Sequence, residues 1–133
     1  MTSSWLLMLG SNLDGDERVH AALAALRMLG PAKFVTTIRR LPAHGDASAP
    51  DFHNVLVTLE SGRDRAALVA DLKRIEHELG RVHGSGRVAI DIDLLARRDG
   101  VRWLADPHAT EKGDLDQPPA RVLLREAGIA VEA

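Results

Sequence analysis

The chain has 133 residues, 45% of them hydrophobic and 27% charged, with a formal net charge of −2 and no cysteine. That length and composition suit one ordinary globular domain over residues 1–133. The near-neutral charge, without a long run of one sign, leaves no electrostatic footprint for DNA, RNA or an anionic membrane. The missing thiols exclude disulfides, zinc–thiolate sites and thiol nucleophiles. The apolar run from Trp5 to Leu9 is too short to span a bilayer. It has neither preceding basic residues nor a small-residue cleavage pattern, so no anchor or signal peptide is expected and the cytoplasm is the expected compartment.

In chain order, Trp5–Leu9 reads as a short buried strand followed by the turn-like Gly10-Ser11-Asn12. Asp14 or Asp16 caps a helix carrying Val19, Leu23, Leu26 and Leu29 on one face, stopped at Gly30-Pro31. Phe34–Ile38, rich in β-branched residues, reads as a second strand, and 41–50 as a loop punctuated by Pro42, Gly45 and Pro50. Phe52–Glu60 alternates: Val55, Val57 and Leu59 on one side, Phe52, Asn54 and Leu56 on the other. Asp64 caps a helix with Leu68, Leu72, Ile75 and Leu79 at helical spacing. A strand through residues 89–95, the hairpin turn Asp99-Gly100, a return strand Val101–Ala105 and a last helix over Arg121–Glu126 complete the chain. The order β-α-β-β-α-β predicts an α+β, ferredoxin-like fold, an antiparallel sheet with helices packed on it. That fold serves enzymes, regulatory modules and RNA binders alike, so the site must decide function.

One strand carries chemistry. In "RVAIDIDLLAR" (87–97), Ile90, Ile92 and Leu94 alternate as a half-buried strand should, while Asp91 and Asp93 share the opposite face. Asp is disfavoured in strands, and two carboxylates roughly 6.5–7 Å apart repel each other. Such a pair can be a solvated face, a general acid/base pair, or a ligand set for a hard cation, since Mg²⁺ is bound by one or two carboxylates plus substrate phosphates. The neighbours favour the cation: Arg81, His83 and Arg87 flank the flexible Gly84-Ser85-Gly86 just upstream, an arrangement suited to a nucleoside triphosphate with its metals.

Four stretches then resemble, in order, the 6-hydroxymethyl-7,8-dihydropterin pyrophosphokinases: "LGSNL" (9–13), "DFHNVLVTLE" (51–60), "LKRIEHELGRV" (72–82) and "AIDIDLL" (89–95). The resemblance implies an ATP- and Mg²⁺-dependent enzyme that moves pyrophosphate from ATP to the hydroxymethyl group of a dihydropterin in folate biosynthesis, with AMP as the other product. It implies that Asp91 and Asp93 hold two Mg²⁺ ions arriving with ATP. Glu76 and Arg81 fall at nucleotide-side positions, and Pro107-His108 resembles a Pro-His pair whose His108 reaches a phosphate. Asn54 and Phe52 match the pterin pocket, the amide pairing with the ring's donor/acceptor edge and the phenyl stacking on its face. Pro42 matches a loop over the pterin. Two small-molecule substrates are implied, with no nucleic-acid or membrane partner.

Between Arg81 and Asp91 the chain is shorter than the family's pattern and has no tryptophan. Arg87 sits one position from the expected arginine, and Leu123 stands where a second stacking aromatic belongs. Arg87, with Arg81 and His108, is therefore the candidate for placing positive charge on the transferring phosphates. The same shortening keeps a second reading open: a paralogue that binds a pterin or nucleotide without efficient transfer.

Overall fold

The computed structural model describes residues 2–13, 15–42, 51–80 and 88–133. Along them run β1 (Ser3–Ser11), α1 (Glu17–Arg27), β2 (Ala32–Phe34), β3 (Arg39–Leu41), β4 (Phe52–Ser61) and α2 (Arg65–Glu78). There follow β5 (Asp91–Asp99), β6 (Arg102–Ala105), α3 (Pro107–Lys112), a 3₁₀ turn (Asp114–Asp116), α4 (Pro118–Ala127) and β7 (Val131–Glu132). The strands form one sheet in the order β2-β4-β1-β5-β6-β7, with β3 also on β4. Every pairing is antiparallel except β6 with β7. Taking β2 and β3 as one interrupted edge strand, the core is the expected β-α-β-β-α-β arrangement.

The interruption departs from the sequence expectation of a strand over Phe34–Ile38. Val35 still donates to the Leu56 carbonyl at 2.9 Å, but the Leu56 N–H is taken by the Thr36 hydroxyl at 3.1 Å. The Thr37 N–H donates to a Glu126 carboxylate oxygen at 2.6 Å. Side chains therefore replace ladder bonds at the two threonines, as short hydroxyls readily do, and the edge bends there. The first helix also stops earlier than the pattern suggested, at Arg27, before Leu29. At α2, Asp64 accepts from the Ala67 N–H at 2.8 Å, an N-cap contributing about 1 kcal/mol.

Alternation places a core on each face. Leu7, Leu9, Val55, Val57, Ile90, Ile92 and Leu94 meet α1 and α2. On the other face Leu6, Met8, Leu56, Leu95 and Ala96 meet Ala120 and Leu123 of α4. Leu123, at the position of the absent aromatic, is fully buried in that second core. The register of β1 against β5 shifts between Leu6, opposite Ala96, and Leu7, opposite Leu94, leaving Leu95 as an extra residue. This β-bulge turns the two halves of β5 out of phase. Its first half presents Asp91 and Asp93, and its second half turns an outward carbonyl at Leu95 to the Asp106 N–H, 2.8 Å away. Among the described residues no helix is long and apolar enough to cross a membrane.

Candidate active site

The start of β5 is fixed by the end of β1. The Asn12 N–H donates to the Val88 carbonyl at 3.0 Å, and the Asn12 side-chain oxygen accepts from the Val88 N–H. The "GSN" segment thus sets where Asp91 begins. Register then places Asn54 of β4, Gly10 of β1 and Asp91 of β5 side by side in one row. Directly opposed residues share a face, so Asn54 and Asp91 stand about 10 Å apart, two strand spacings, with only a hydrogen atom of Gly10 between them. A methyl group on Gly10 would lie 2.8 Å from Asn54 Oδ1 and 3.5 Å from Phe52 Cδ1. Glycine is required by close approach, a role its sequence context did not reveal. Asn54 is 4% exposed, and its Nδ2 has no partner among the described residues. A buried donor left unpaired is unfavourable by about 1–3 kcal/mol, which points to a ligand acceptor at this spot. Phe52, half-buried, opens the same strand, and Pro42, exposed, follows β3 directly.

Beside this row lies a cavity of about 610 Å³ between α2, the outer edge of β5 and the α3–3₁₀ segment. Val69, Leu72, Ile92 and Leu94 supply an apolar wall, while Asp91, Asp93, Glu76, His108, Lys112 and Asp114 supply polar groups. β6 pairs with β5 only along Ala96–Asp99, so among the described residues no strand covers the outer edge of Asp91–Leu95. Glu76 caps part of that edge, its Oε2 accepting from the Ile92 N–H at 2.8 Å in a buried bond. The sequence-predicted Asp91, Asp93, Glu76 and His108 therefore surround one cavity, with Asn54 and Phe52 next to it. Arg81 and Arg87 lie outside the described residues, as does His83.

Four residues that sequence reasoning passed over complete the cavity. Arg65 makes a two-pronged contact with Asp106, Nε to Oδ1 at 2.5 Å and a terminal nitrogen to Oδ2 at 2.8 Å. Asp106 also caps α3, accepting from the His108 N–H at 3.1 Å. Burial works to raise the Asp106 pKa, but the Arg65 hydrogen bonds and charge, with the N–H groups of Ala109 and His108, hold it below the usual carboxylate range. Lys112, the last residue of α3, places Nζ 3.8 Å from Asp93 and 3.5 Å from Asp114. The Asp93 carboxyl is pushed up to about 7, first by burial and then by the charges of Asp91, Asp114 and Glu76, against the pull of Lys112. Burial tends to lower the Lys112 pKa, yet the carboxylates around it leave it raised. None of the four was singled out in the sequence, although Asp106 before Pro107 carries the signal of an N-cap followed by proline at the first helical position.

Among the described residues no set of three or more His, Asp or Glu side chains is placed to hold a metal ion. The paired carboxylates of Asp91 and Asp93 nevertheless fit Mg²⁺, because that ion takes one or two carboxylates and completes its shell with water and substrate phosphate. The crowding of negative charge on Asp93 is the condition a divalent cation relieves. A second cavity, about 530 Å³ and lined in part by Lys33, Arg98 and Trp103, contains none of the predicted site residues.

The family model described as 7,8-dihydro-6-hydroxymethylpterin-pyrophosphokinase (HPPK) matches residues 6–123. A 2-amino-4-hydroxy-6-hydroxymethyldihydropteridine pyrophosphokinase from Haemophilus influenzae is 35% identical over 94 residues, 67% of this chain. The chain spans 59% of that relative's length.

Proposed function

The chain belongs to the 7,8-dihydro-6-hydroxymethylpterin-pyrophosphokinase family, and from that premise we propose that it transfers pyrophosphate from ATP to 6-hydroxymethyl-7,8-dihydropterin, a step of folate biosynthesis in the cytoplasm. The observation that carries the reading is the single row of Asn54, Gly10 and Asp91. It sets a buried amide nitrogen, without a partner among the described residues, two strands from a carboxylate, which supports a pterin pocket beside a metal–phosphate site.

Residues 1–133 act as one pyrophosphokinase domain. Asn54 satisfies its buried Nδ2–H on an acceptor of the pterin edge, Phe52 packs on the ring, and Pro42 borders the loop over it. Gly10 leaves room for the Asn54 side chain to pack over it and so to present its amide to the ring. Asp91 and Asp93 would hold two Mg²⁺ ions arriving with ATP, which would supply neutralising charge to its phosphates. Glu76 keeps the nucleotide side of β5 in place through the Ile92 N–H, and the apolar wall of Leu72, Ile92 and Leu94 receives the base. His108, fixed on the first turn of α3 by Asp106, reaches a phosphate oxygen. Arg81 and Arg87 supply the positive charge that follows the phosphates through the transition state.

In the transfer the pterin hydroxyl oxygen forms a bond to the β-phosphorus, and the bond from that phosphorus to the α,β-bridging oxygen breaks. AMP leaves with the bridging oxygen, and the hydroxyl proton passes to water. Positioning and charge neutralisation provide most of the rate, as is general for phosphoryl transfer. The test is an AMP-release assay with ATP, Mg²⁺ and 6-hydroxymethyl-7,8-dihydropterin. Release of AMP only when the pterin is present is the expected result. Tight binding of both ligands without AMP would replace this reading with the non-transferring one.

A further inference from the structure

The cavity holds two cation–carboxylate contacts of different kinds. Arg65 is fixed on Asp106 by two short, parallel bonds of 2.5 and 2.8 Å. Among the described residues Lys112 is fixed on nothing so closely. Its ammonium stands between two carboxylates at 3.8 and 3.5 Å, beyond the roughly 2.7–2.9 Å of a charge-assisted hydrogen bond. Its side chain is 47% exposed, whereas those of Asp93 and Asp114 are 17% and 16% exposed. The half-exposed ammonium can therefore leave at small desolvation cost, while the carboxylates cannot. Lys112 ends a helix of six residues and precedes Gly113, whose φ of 76° is left-handed. Four flexible methylenes on that last turn give Nζ several ångströms of reach over the cavity.

We propose that Lys112 is an internal counter-ion, holding Asp93 and Asp114 in place of a divalent cation and turning onto the polyphosphate when a metal–nucleotide complex enters. This rests on the reading of Asp91 and Asp93 as metal carboxylates. It adds that the protein carries its own competitor for that metal, so free cation binds poorly and the nucleotide complex binds well. The reason is electrostatic. A metal ion entering alone must share the carboxylates with the ammonium or expel it into water, whereas a metal ion bringing phosphate offers the ammonium a new anion.

The test titrates Mn²⁺ into the full chain by calorimetry, first alone and then with a non-hydrolysable ATP analogue, for wild type, Lys112→Met and Lys112→Arg. Lys112→Met should bind Mn²⁺ alone about tenfold more tightly than wild type, within the range usual for coupled sites. It should bind the Mn²⁺–nucleotide complex severalfold more weakly, and Lys112→Arg should restore both values towards wild type. Lys112→Gln is the second variant should the methionine fail to fold, with the same two directions expected. Unchanged or weaker Mn²⁺ binding in the neutral variants, while wild type binds the Mn²⁺–nucleotide complex, overturns the counter-ion and leaves the metal reading standing. A wild type that binds neither Mn²⁺ nor its nucleotide complex overturns both.

Discussion

Asp106 and Asp93 are both largely buried carboxylates lining one cavity, each with a cation beside it, yet their environments run in opposite directions. Asp106 is 6% exposed and saturated with donors: two from Arg65 and one from the α3 backbone at His108. Its pKa is lowered. Asp93 has like charges for neighbours and one distant ammonium, and its pKa rises to about 7. The Asp106 carboxylate ties α2 to α3, and its backbone N–H holds the bulge of β5. Asp93 stands among like charges, with Lys112 as the cation near it among the described residues. Asn54, whose buried Nδ2 has no partner among the described residues, resembles Asp93 in this respect. On the proposed function, complete satisfaction would mark the frame of the site and incompleteness the ligand positions.

The comparison is broken most directly by exchanging the fates of the two groups. Asp93→Ala should lower AMP release about a hundredfold or more, the scale of losing one transition-state stabilising group. The same change should raise the melting temperature of the metal-free protein. The shift from 3.8 to about 7 sets an upper bound of about 4 kcal/mol on that gain, at 1.36 kcal/mol per unit. A variant that melts lower than wild type would place Asp93 with the frame.

Acid titration sharpens the contrast in sign. Asp93 has a folded pKa above its unfolded value, so its contribution is fully present below about 3.8 and is lost as the pH rises towards about 7. Asp106 has a lowered folded pKa, so its contribution is present above its ordinary range and lost as the pH falls through the lowered value. Metal-free wild type should therefore lose stability between about pH 4 and 7, and Asp93→Asn should remove that loss. Denaturant melts across this window provide the check, and identical slopes for the two proteins would contradict the assignment.

Arg65→Gln should weaken the fold by roughly 1.5–3 kcal/mol, the range for hydrogen bonds to a charged group. It should spare pterin affinity, since Asn54 and Phe52 stand on β4, which the Arg65–Asp106 contact does not touch. Asn54→Ala should do the reverse: pterin affinity falls by about 1–3 kcal/mol, ATP affinity and melting temperature scarcely change. Parallel calorimetry with each ligand separates the two. Equal losses for both ligands in Asn54→Ala would move that residue from pocket to framework.

What the sequence disclosed follows the same division. β1, β4 and α2 were legible because local periodicity carries them, and the odd pair of aspartates showed because it violates that periodicity. The Arg65–Asp106 tie joins residues 41 apart in the chain, and no local pattern announces it. Lys112 and Asp114 belong to the α3–3₁₀ segment, too short to show a helical repeat. Thr36 and Thr37 read as strand because they are β-branched, whereas their hydroxyls and Glu126 take over backbone bonds. The close packing of Gly10 beneath Asn54 becomes visible only when two strands are brought into register.

The uncovered edge of β5 has a further meaning for how this molecule lives among its own copies. An open strand edge is a template on which another chain can add a strand, and natural sheets protect such edges with charge or with side chains that occupy the backbone. Here Glu76 takes the Ile92 N–H, and Asp91 and Asp93 bring negative charge to the same few residues. The groups proposed to receive a metal and its phosphates thus also make this edge, open among the described residues, inhospitable to a neighbour's backbone.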